Sequence, residues 1–272
     1  MPVIPIHGCD YYYEIHGDPL ATDTIVFSHG LLWSGRMFRK QVAYLSDRYR
    51  VITYDQRGQG KSSVTDQGYD MDQLYLDAVA LIENLRLKKV HFAGLSMGGF
   101  IGLRLAARRP DLVDSLILME TSAEPEPHTV KYPLLVYTVR LFGINLVTRP
   151  VMKIMFGEKF LRDKSRREEK LFWIGELKKN KKNITRAVRG VITRKGVEEE
   201  LRNIMCPVLV MAGTQDRATT PEKAEFIHKH ILHSQLRYIE GAGHSSCIEE
   251  PEQVNEYIEE FLSKIIPGIH PS

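Results

Sequence analysis

The chain has 272 residues, 43% of them hydrophobic and 26% charged, and its formal net charge is +3. This length and balance suit one large globular domain, or a domain with an insertion, with a sizeable core. Its apolar runs fall far short of the roughly 20 residues that a membrane span needs, and its start lacks the basic and apolar regions of a secretion signal. We therefore expect a soluble, unprocessed, cytoplasmic protein.

Short β-rich runs alternate with helical patterns along most of the chain. Helical spacing is clearest at 70–86 and 251–265. The predicted strands are 11–17, 24–30, 51–55, 89–94, 115–121, 207–213 and 235–241. Several of these strands are near-continuous apolar runs, as expected where helices cover both faces of a parallel sheet. The predicted fold is an open α/β sheet, mostly parallel and flanked by helices.

A helical cap is predicted for residues 125–204, inserted into a sheet domain formed by 1–124 and 205–272. The cap begins with the sequence EPEPH, whose prolines suit a linker that leaves the sheet. Charge is segregated as well, because residues 126–202 hold 19 Lys and Arg against 9 Asp and Glu. The rest of the chain is therefore acidic.

The apolar stretch 132–156 of the predicted cap contains Arg140, Arg149 and Lys153 among leucines, valines and aromatic residues. That mixture suits a pocket for an acyl chain, or a peripheral face that rests on anionic lipid. The simpler interpretation is that the cap helices hide an apolar side against the sheet domain and that the surplus cations are solvated.

The stretch HFAGLSMGGF, residues 91–100, crowds glycines around a serine where a predicted strand meets a predicted helix. Glycine inside a regular element costs stability, so this cluster indicates a tight turn or a close approach of backbones. Gly94, Ser96 and Gly98 form a GxSxG pattern, which in this context is typical of a nucleophile elbow. We expect Ser96 to be the nucleophile, with Gly99 serving close helix packing.

A serine hydroxyl needs a base to take its proton and a carboxylate to orient that base. Asp216 follows the predicted strand 207–213, and His244 follows the predicted strand 235–241. Both loops belong to the carboxyl edge of a parallel sheet, where the elbow also lies. Asp216 alone fits a turn and His244 alone fits a surface loop, but together with the elbow they predict a catalytic triad in the order Ser, Asp, His.

The negative oxygen of a tetrahedral intermediate also needs donors. Gly30 lets the backbone turn inward after its strand, so that the N–H of Leu31 would face the N–H of Met97, the residue after the nucleophile. These two amides are the predicted oxyanion hole. The plain alternative for His29 and Gly30 is an ordinary strand-to-loop turn.

Two further groups lie near this predicted site. Glu120, at the end of the strand 115–121, is a second carboxylate that would replace or support Asp216 as the partner of the histidine. Cys247, three residues after His244, fits either a reactive thiol or, more commonly, a buried inert one.

Metal and cofactor sites are not indicated. His228 and His230 point to different faces of a helix, and no carboxylate cluster accompanies them or His233, so a solvated helix face is the plainer interpretation. The three cysteines are widely spaced and form no CxxC pair, which argues against zinc and against a disulfide framework. The glycines at 94–102 do not form the GxGxxG pattern of a dinucleotide site.

Five motifs occur in an order and spacing that resemble one large family. They are HG at 29–30, DQRGQGKS at 55–62, GLSMGG at 94–99, GTQDRATTP at 213–221 and GAGH at 241–244. Over essentially its whole length the chain resembles serine hydrolases of the α/β-hydrolase fold. Among them it is most similar to 3-oxoadipate enol-lactonases and haloperoxidase-like esterases.

This resemblance implies roles for individual residues. It implies a structural role only for the loop 55–62, and a substrate pocket under the cap with Trp33 and Trp173 among its walls. The triad and the oxyanion donors that it implies are the residues already singled out by position: Ser96, Asp216 and His244, with Leu31 and Met97.

The leading functional hypothesis is a serine hydrolase that cleaves a carboxylic ester or lactone through an acyl-enzyme on Ser96. A serine at the elbow argues against epoxide and haloalkane chemistry, which use an aspartate there. A carbon-carbon bond hydrolase with the same triad and a non-catalytic ligand-binding receptor of the same fold are the alternatives. We expect a small-molecule partner, no nucleic acid, no metal and no cofactor; nothing in the sequence bears on the oligomeric state.

Overall fold

The computed structural model describes residues 2–126 and 144–266. Its strands are β1 (Val3–Ile6), β2 (Cys9–His16), β3 (Thr24–Ser28), β4 (Arg50–Tyr54), β5 (Val90–Leu95), β6 (Val113–Met119), β7 (Val208–Gly213) and β8 (Ser234–Ile239). They form one sheet in the order β1-β2-β4-β3-β5-β6-β7-β8. Only the pairs β1–β2 and β2–β4 are antiparallel within these residues. The predicted mostly parallel sheet is confirmed.

The described helices flank this sheet on both faces. They are α1 (Arg39–Leu45), α2 (Met71–Asn84), α3 (Met97–Arg108), α4 (Thr148–Met155), α5 (Glu158–Arg162), α6 (Arg167–Lys178), α7 (Ile184–Ile192), α8 (Pro221–His230), α9 (Ser246–Glu249) and α10 (Pro251–Ile265). Helix α2 begins where the Asp70 carboxylate accepts the N–H of Gln73 at 2.9 Å, and Pro251 opens α10 at a position where its missing N–H is not needed.

A hydrophobic core lies on each face of the sheet, because successive residues of a strand point to opposite faces. Along β6, Leu116 and Leu118 pack into the core shared with α2, α3 and α8. Ile117 and Met119 pack into the other core, with α1, α10 and helices between β6 and β7. The chain is thus a three-layer arrangement in which both faces of the sheet are covered.

The structure differs from the predicted strands at their ends. Strand β1 was not predicted, because its sequence VIPI contains a proline; Pro5 is tolerated there since β1 is an edge strand. Strand β3 ends at Ser28, two residues earlier than predicted, and β6 ends at Met119 because Glu120 takes a φ of 43°. Both early ends fall at the edge where the predicted site lies.

Helices α4 to α7 lie between β6 and β7, and we call them the cap helices. The boundaries 125–204 remain a prediction, and Arg140, like all of residues 127–143, lies outside the described residues. Arg149 and Lys153 are exposed on α4. Arg194, which follows α7, donates to the carboxylate of Glu126, which precedes the cap helices, at 2.5 Å.

No helix of the described ranges is long and apolar enough to cross a membrane.

Candidate active site

Ser96 occupies a strained turn between β5, which ends at Leu95, and α3, which begins at Met97. Its φ is 52° and its ψ is −110°, outside the regions that L-residues favour. A Cβ at Gly94 would overlap the backbone of Gly98, and a Cβ at Gly98 would overlap the carbonyl oxygen of Ser28 in β3. The glycines of the GxSxG pattern are therefore required by close contacts of the backbone.

Gly99 and Thr121 fix the elbow from the side of β6. A Cβ at Gly99 would lie 2.5 Å from the Cβ of Thr121, so Gly99 allows α3 to approach the chain that follows β6. The Thr121 hydroxyl donates to the carbonyl oxygen of Ser96 at 2.9 Å, and the Ser96 N–H donates to the carbonyl oxygen of Met119 at 2.9 Å. The conformation of Ser96 is thus held by its neighbours rather than chosen by its own preference.

The structure brings Ser96, His244 and Asp216 into one hydrogen-bonded row. His244 Nε2 lies 2.8 Å from Ser96 Oγ, and His244 Nδ1 lies 2.8 Å from Asp216 Oδ2. All three residues are buried. Because a carboxylate only accepts, Nδ1 carries the proton toward Asp216 and Nε2 is the acceptor that faces the serine hydroxyl.

Asp216 is itself oriented by the loop that follows β7. Its Oδ1 accepts the N–H groups of Ala218 at 2.7 Å and Thr219 at 3.2 Å. Its Oδ2 accepts the Thr219 hydroxyl at 2.8 Å in addition to the imidazole of His244. Four donors therefore bond to this carboxyl group and fix the oxygen that faces the histidine.

The predicted oxyanion donors are the N–H groups of Leu31, in the loop after β3, and of Met97, at the start of α3. Met97 is the first residue of α3, where an N–H has no acceptor within the helix. After β3, the Leu32 N–H donates to Gln59 Oε1 at 2.8 Å and the Trp33 N–H donates to the Gly30 carbonyl at 3.3 Å. For the Leu31 N–H, the described residues provide no such acceptor.

His29 holds the turn that carries Leu31. Its Nε2 accepts the Gln56 N–H at 2.8 Å, so its Nδ1 carries a proton and donates to the Gly30 carbonyl at 2.7 Å. Burial lowers the pKa of His29, which keeps the ring neutral and preserves this pattern of donor and acceptor. His29 was predicted only as part of a turn; its place directly before Gly30 was the available signal.

Glu120 does not contact His244, although it was considered as its partner. Glu120 Oε2 accepts the Ser246 hydroxyl at 2.8 Å, while the imidazole bonds to Asp216. Burial, and next the nearby Asp216, raise the pKa of Glu120 well above its usual value. Burial therefore disfavours the charged form of Glu120.

The remaining sequence signals lead to no second centre. Burial raises the pKa of the Cys247 thiol well above its usual value, which disfavours the reactive thiolate form. His228 Nδ1 bonds to the Ser234 hydroxyl at 2.8 Å, and His230 Nδ1 bonds to the Phe226 carbonyl at 2.8 Å. Within 2–126 and 144–266 no group of three or more His, Cys, Asp or Glu side chains is arranged to hold a metal ion.

Trp33 and Trp173 lie together, with ring centres 5.4 Å apart in an edge-to-face arrangement. Both rings are buried, and both line a cavity of about 770 Å³ between the loop after β3, the loop 55–64 and the cap helices. Among the described residues, the lining of this cavity does not include Ser96. That Trp33 and Trp173 are walls of the substrate pocket therefore stays a prediction.

An open, mostly parallel sheet with a serine elbow, an acid loop and a histidine loop at one edge defines a class of hydrolases. The chain belongs to the alpha/beta hydrolase fold family, which it matches over residues 23–251. It is 32% identical over 243 residues to 3-oxoadipate enol-lactonase 2 of Acinetobacter baylyi, covering 88% of each chain. It is 31% identical over 255 residues to the AB hydrolase superfamily protein YisY of Bacillus subtilis, covering 90% of this chain and 92% of that one.

Solved structures of the same fold are similar over almost the whole chain. An enol-lactonase from Burkholderia xenovorans has a TM-score of 0.86 at 27% identity, with 96% of this chain and 100% of that one covered. A thermophilic esterase from Thermogutta terrifontis has a TM-score of 0.87 at 27% identity, with 97% of each chain covered. The resemblance to enol-lactonases is confirmed, and these similarities support assignment of the chain as a hydrolase.

Proposed function

We propose that this protein hydrolyses a carboxylic ester or lactone through an acyl-enzyme on Ser96. The observation that carries the proposal is the row of hydrogen bonds from Ser96 Oγ through His244 to Asp216, with 2.8 Å at each step, at the edge of the sheet. Relatives named enol-lactonase and esterase support the ester or lactone class.

In the first half of the reaction, Ser96 Oγ attacks the carbonyl carbon while its proton passes to His244 Nε2. Asp216 stabilises the resulting imidazolium through Nδ1. The N–H groups of Leu31 and Met97 donate to the carbonyl oxygen as it becomes negative. The intermediate collapses when the alkoxide leaves with the proton from His244, which leaves an acyl group on Ser96.

In the second half, a water molecule attacks the acyl carbon and His244 again takes the proton. Collapse returns that proton to Ser96 and releases the carboxylic acid. For a lactone the leaving alkoxide stays attached to the acyl group, so the product is one hydroxy acid. A buried, neutral His29 supports both halves because it keeps the turn before Leu31 fixed.

The test is a panel of p-nitrophenyl esters of varied chain length together with lactones, measured for the native protein and for Ser96→Ala. We expect hydrolysis of at least one ester or lactone, and its loss in the variant. Turnover of a carbon-carbon substrate such as a β-diketone, without turnover of esters or lactones, would replace the proposed reaction. Binding without any Ser96-dependent turnover would favour the receptor.

A further inference from the structure

Glu249 is a buried carboxyl group that the proposed reaction does not use directly. It ends helix α9, five residues after His244. Its Oε1 accepts the N–H of Gly243 at 3.0 Å and the N–H of Ser245 at 3.1 Å. These are the two amides on either side of His244, so one oxygen atom holds the backbone of the histidine from both directions.

The second oxygen of Glu249 reaches the cap helices. Oε2 accepts the N–H of Gly157 at 2.7 Å, at the residue that precedes α5. A Cβ at Gly157 would lie 2.9 Å from the backbone nitrogen of Gly243, and a Cβ at Gly243 would overlap Gly157 in turn. The absence of both side chains allows the two backbones to approach closely enough for one carboxylate to bind both.

Neighbouring contacts fasten the same segments together. Arg166, which precedes α6, donates to the carbonyl oxygens of Ile248 at 2.9 Å and of Glu249 at 2.5 Å. The Lys159 N–H of α5 donates to Gln215 Oε1 at 3.0 Å, next to Asp216. The start of α5 is thus joined both to the loop that carries Asp216 and to the loop that carries His244.

The surroundings of Glu249 have opposing effects on its pKa. Burial raises its pKa to about 7, against the lowering effect of the three N–H groups that it accepts and with a smaller rise from Asp216. In the described chain no cation forms an ion pair with its side chain. An apolar residue in its place would leave these three buried N–H groups without an acceptor.

We propose that Glu249 is a positioning residue. It sets His244 against Ser96 and holds the cap helices in a fixed position relative to His244. The inference rests on the proposed function, in which His244 is the base. This role requires both oxygens of Glu249: Oε1 binds the amides beside His244, and Oε2 binds the amide of Gly157. A shift of about 1 Å in a catalytic group can reduce a rate by about 100-fold.

The test compares Glu249→Gln, Glu249→Asp and Glu250→Gln. Glutamine keeps the shape but offers one oxygen and one NH₂ group, so either Gly157 or the amides beside His244 face a second donor. Aspartate keeps the charge but is one methylene shorter. Glu250 is the matched control, because it ion-pairs with Lys159 of the same cap helix at 2.7 Å and touches neither amide beside His244.

Active sites are first counted by complete labelling with a fluorophosphonate, and kcat is expressed per labelled site. We expect Glu249→Gln to lower kcat by about 10-fold to 100-fold, with KM for a small ester changed less than about 3-fold. Glu249→Asp should lie between this variant and the native protein, and Glu250→Gln should match the native protein.

A loss of thermal stability with kcat per site unchanged would make Glu249 purely structural and overturn the inference. A change in KM alone would assign it to the cap and overturn its role at the histidine. Because Glu249→Asp retains charge and most of the volume, it supplies the measurement if Glu249→Gln does not fold. Failure of the native protein to label at Ser96 would instead overturn the proposed function.

Discussion

Two carboxyl groups near His244 have opposite surroundings, and this difference separates their roles. Asp216 accepts four hydrogen bonds, from two backbone amides, a hydroxyl and the imidazole. Glu120 is fully buried and accepts the Ser246 hydroxyl, and burial raises its pKa well above the usual value. We therefore infer that Asp216, which bonds to the imidazole, orients His244, whereas Glu120, whose charged form is disfavoured by burial, does not.

We therefore expect Asp216→Asn to lower kcat by about 10⁴-fold, as in a well-studied triad where the wrong histidine tautomer is stabilised. Glu120→Gln should lower it by less than about 10-fold, because an amide oxygen still accepts the Ser246 hydroxyl. Steady-state kinetics on one ester measures both, with circular dichroism as the check that each variant is folded. The opposite order of losses would move the carboxylate role to Glu120.

Single residues differ in how far the sequence reveals them. Ser96, Asp216 and His244 were predictable as a group because each follows a recognisable strand, and such strand ends share one edge of the sheet. Glu249 was not predictable, since its partners are backbone amides of a loop and of a distant cap segment. Backbone amides have no sequence signature, so a residue that binds only them looks like any other glutamate in a helix.

At the scale of elements, the approach of α3 to β3 and β6 explains the glycines that surround Ser96. Helix α3 runs so close to β3 that a Cβ at Gly98 would overlap the Ser28 carbonyl oxygen. By contrast, Gly175 in the middle of α6 has nothing within 4 Å of the position of a Cβ. We therefore expect a glycine-to-alanine substitution to have opposite effects on stability in α3 and in α6.

We predict that Gly98→Ala lowers the free energy of unfolding by about 1–3 kcal/mol, because the added methyl group forces the elbow away from β3. Gly175→Ala should raise it by about 0.5–1 kcal/mol, because alanine is the better helix former and the space is open. Urea unfolding of both variants measures the two values. A Gly98→Ala protein as stable as the native one would contradict the packing described for the elbow.

The ends of elements were harder to predict than their existence. Short β-rich runs predicted seven of the eight strands in the described residues, but β6 stops where Glu120 takes a positive φ, a conformation that its residue type does not predict. Strand β1 was missed because proline is normally a sign against a strand, and only its position at the edge of the sheet makes Pro5 acceptable.

At the scale of the whole molecule, the segregated charges of the sequence meet across the fold. Cations of the cap helices pair with acids outside these helices, as in Arg186 with Asp66 at 2.9 Å and Lys159 with Glu250 at 2.7 Å. An acid of the cap helices also pairs with a cation outside them, as in Glu158 with Arg217 at 2.9 Å. Exposed pairs of this kind contribute about 1 kcal/mol or less each, so they orient the segment more than they stabilise it.

The arrangement of the sheet and the order of the motifs were visible in the sequence, whereas the docking of the cap helices was not. The alternation of apolar strands and amphipathic helices depends on local spacing. The contact of the cap with the acid and histidine loops depends instead on glycine backbones and on one carboxylate, which have no periodic pattern. The position of the cap helices could therefore be determined only from the structure.

The proposed reaction depends on Ser96 as a nucleophile that His244 activates. The most direct measurement is reaction of the native protein with a fluorophosphonate, followed by peptide mass spectrometry to locate the adduct, with Ser96→Ala and His244→Gln treated in parallel. We expect a single adduct on Ser96, none in Ser96→Ala, and a labelling rate lowered by several orders of magnitude in His244→Gln. An adduct on another residue, or labelling that survives in Ser96→Ala, would contradict this expectation.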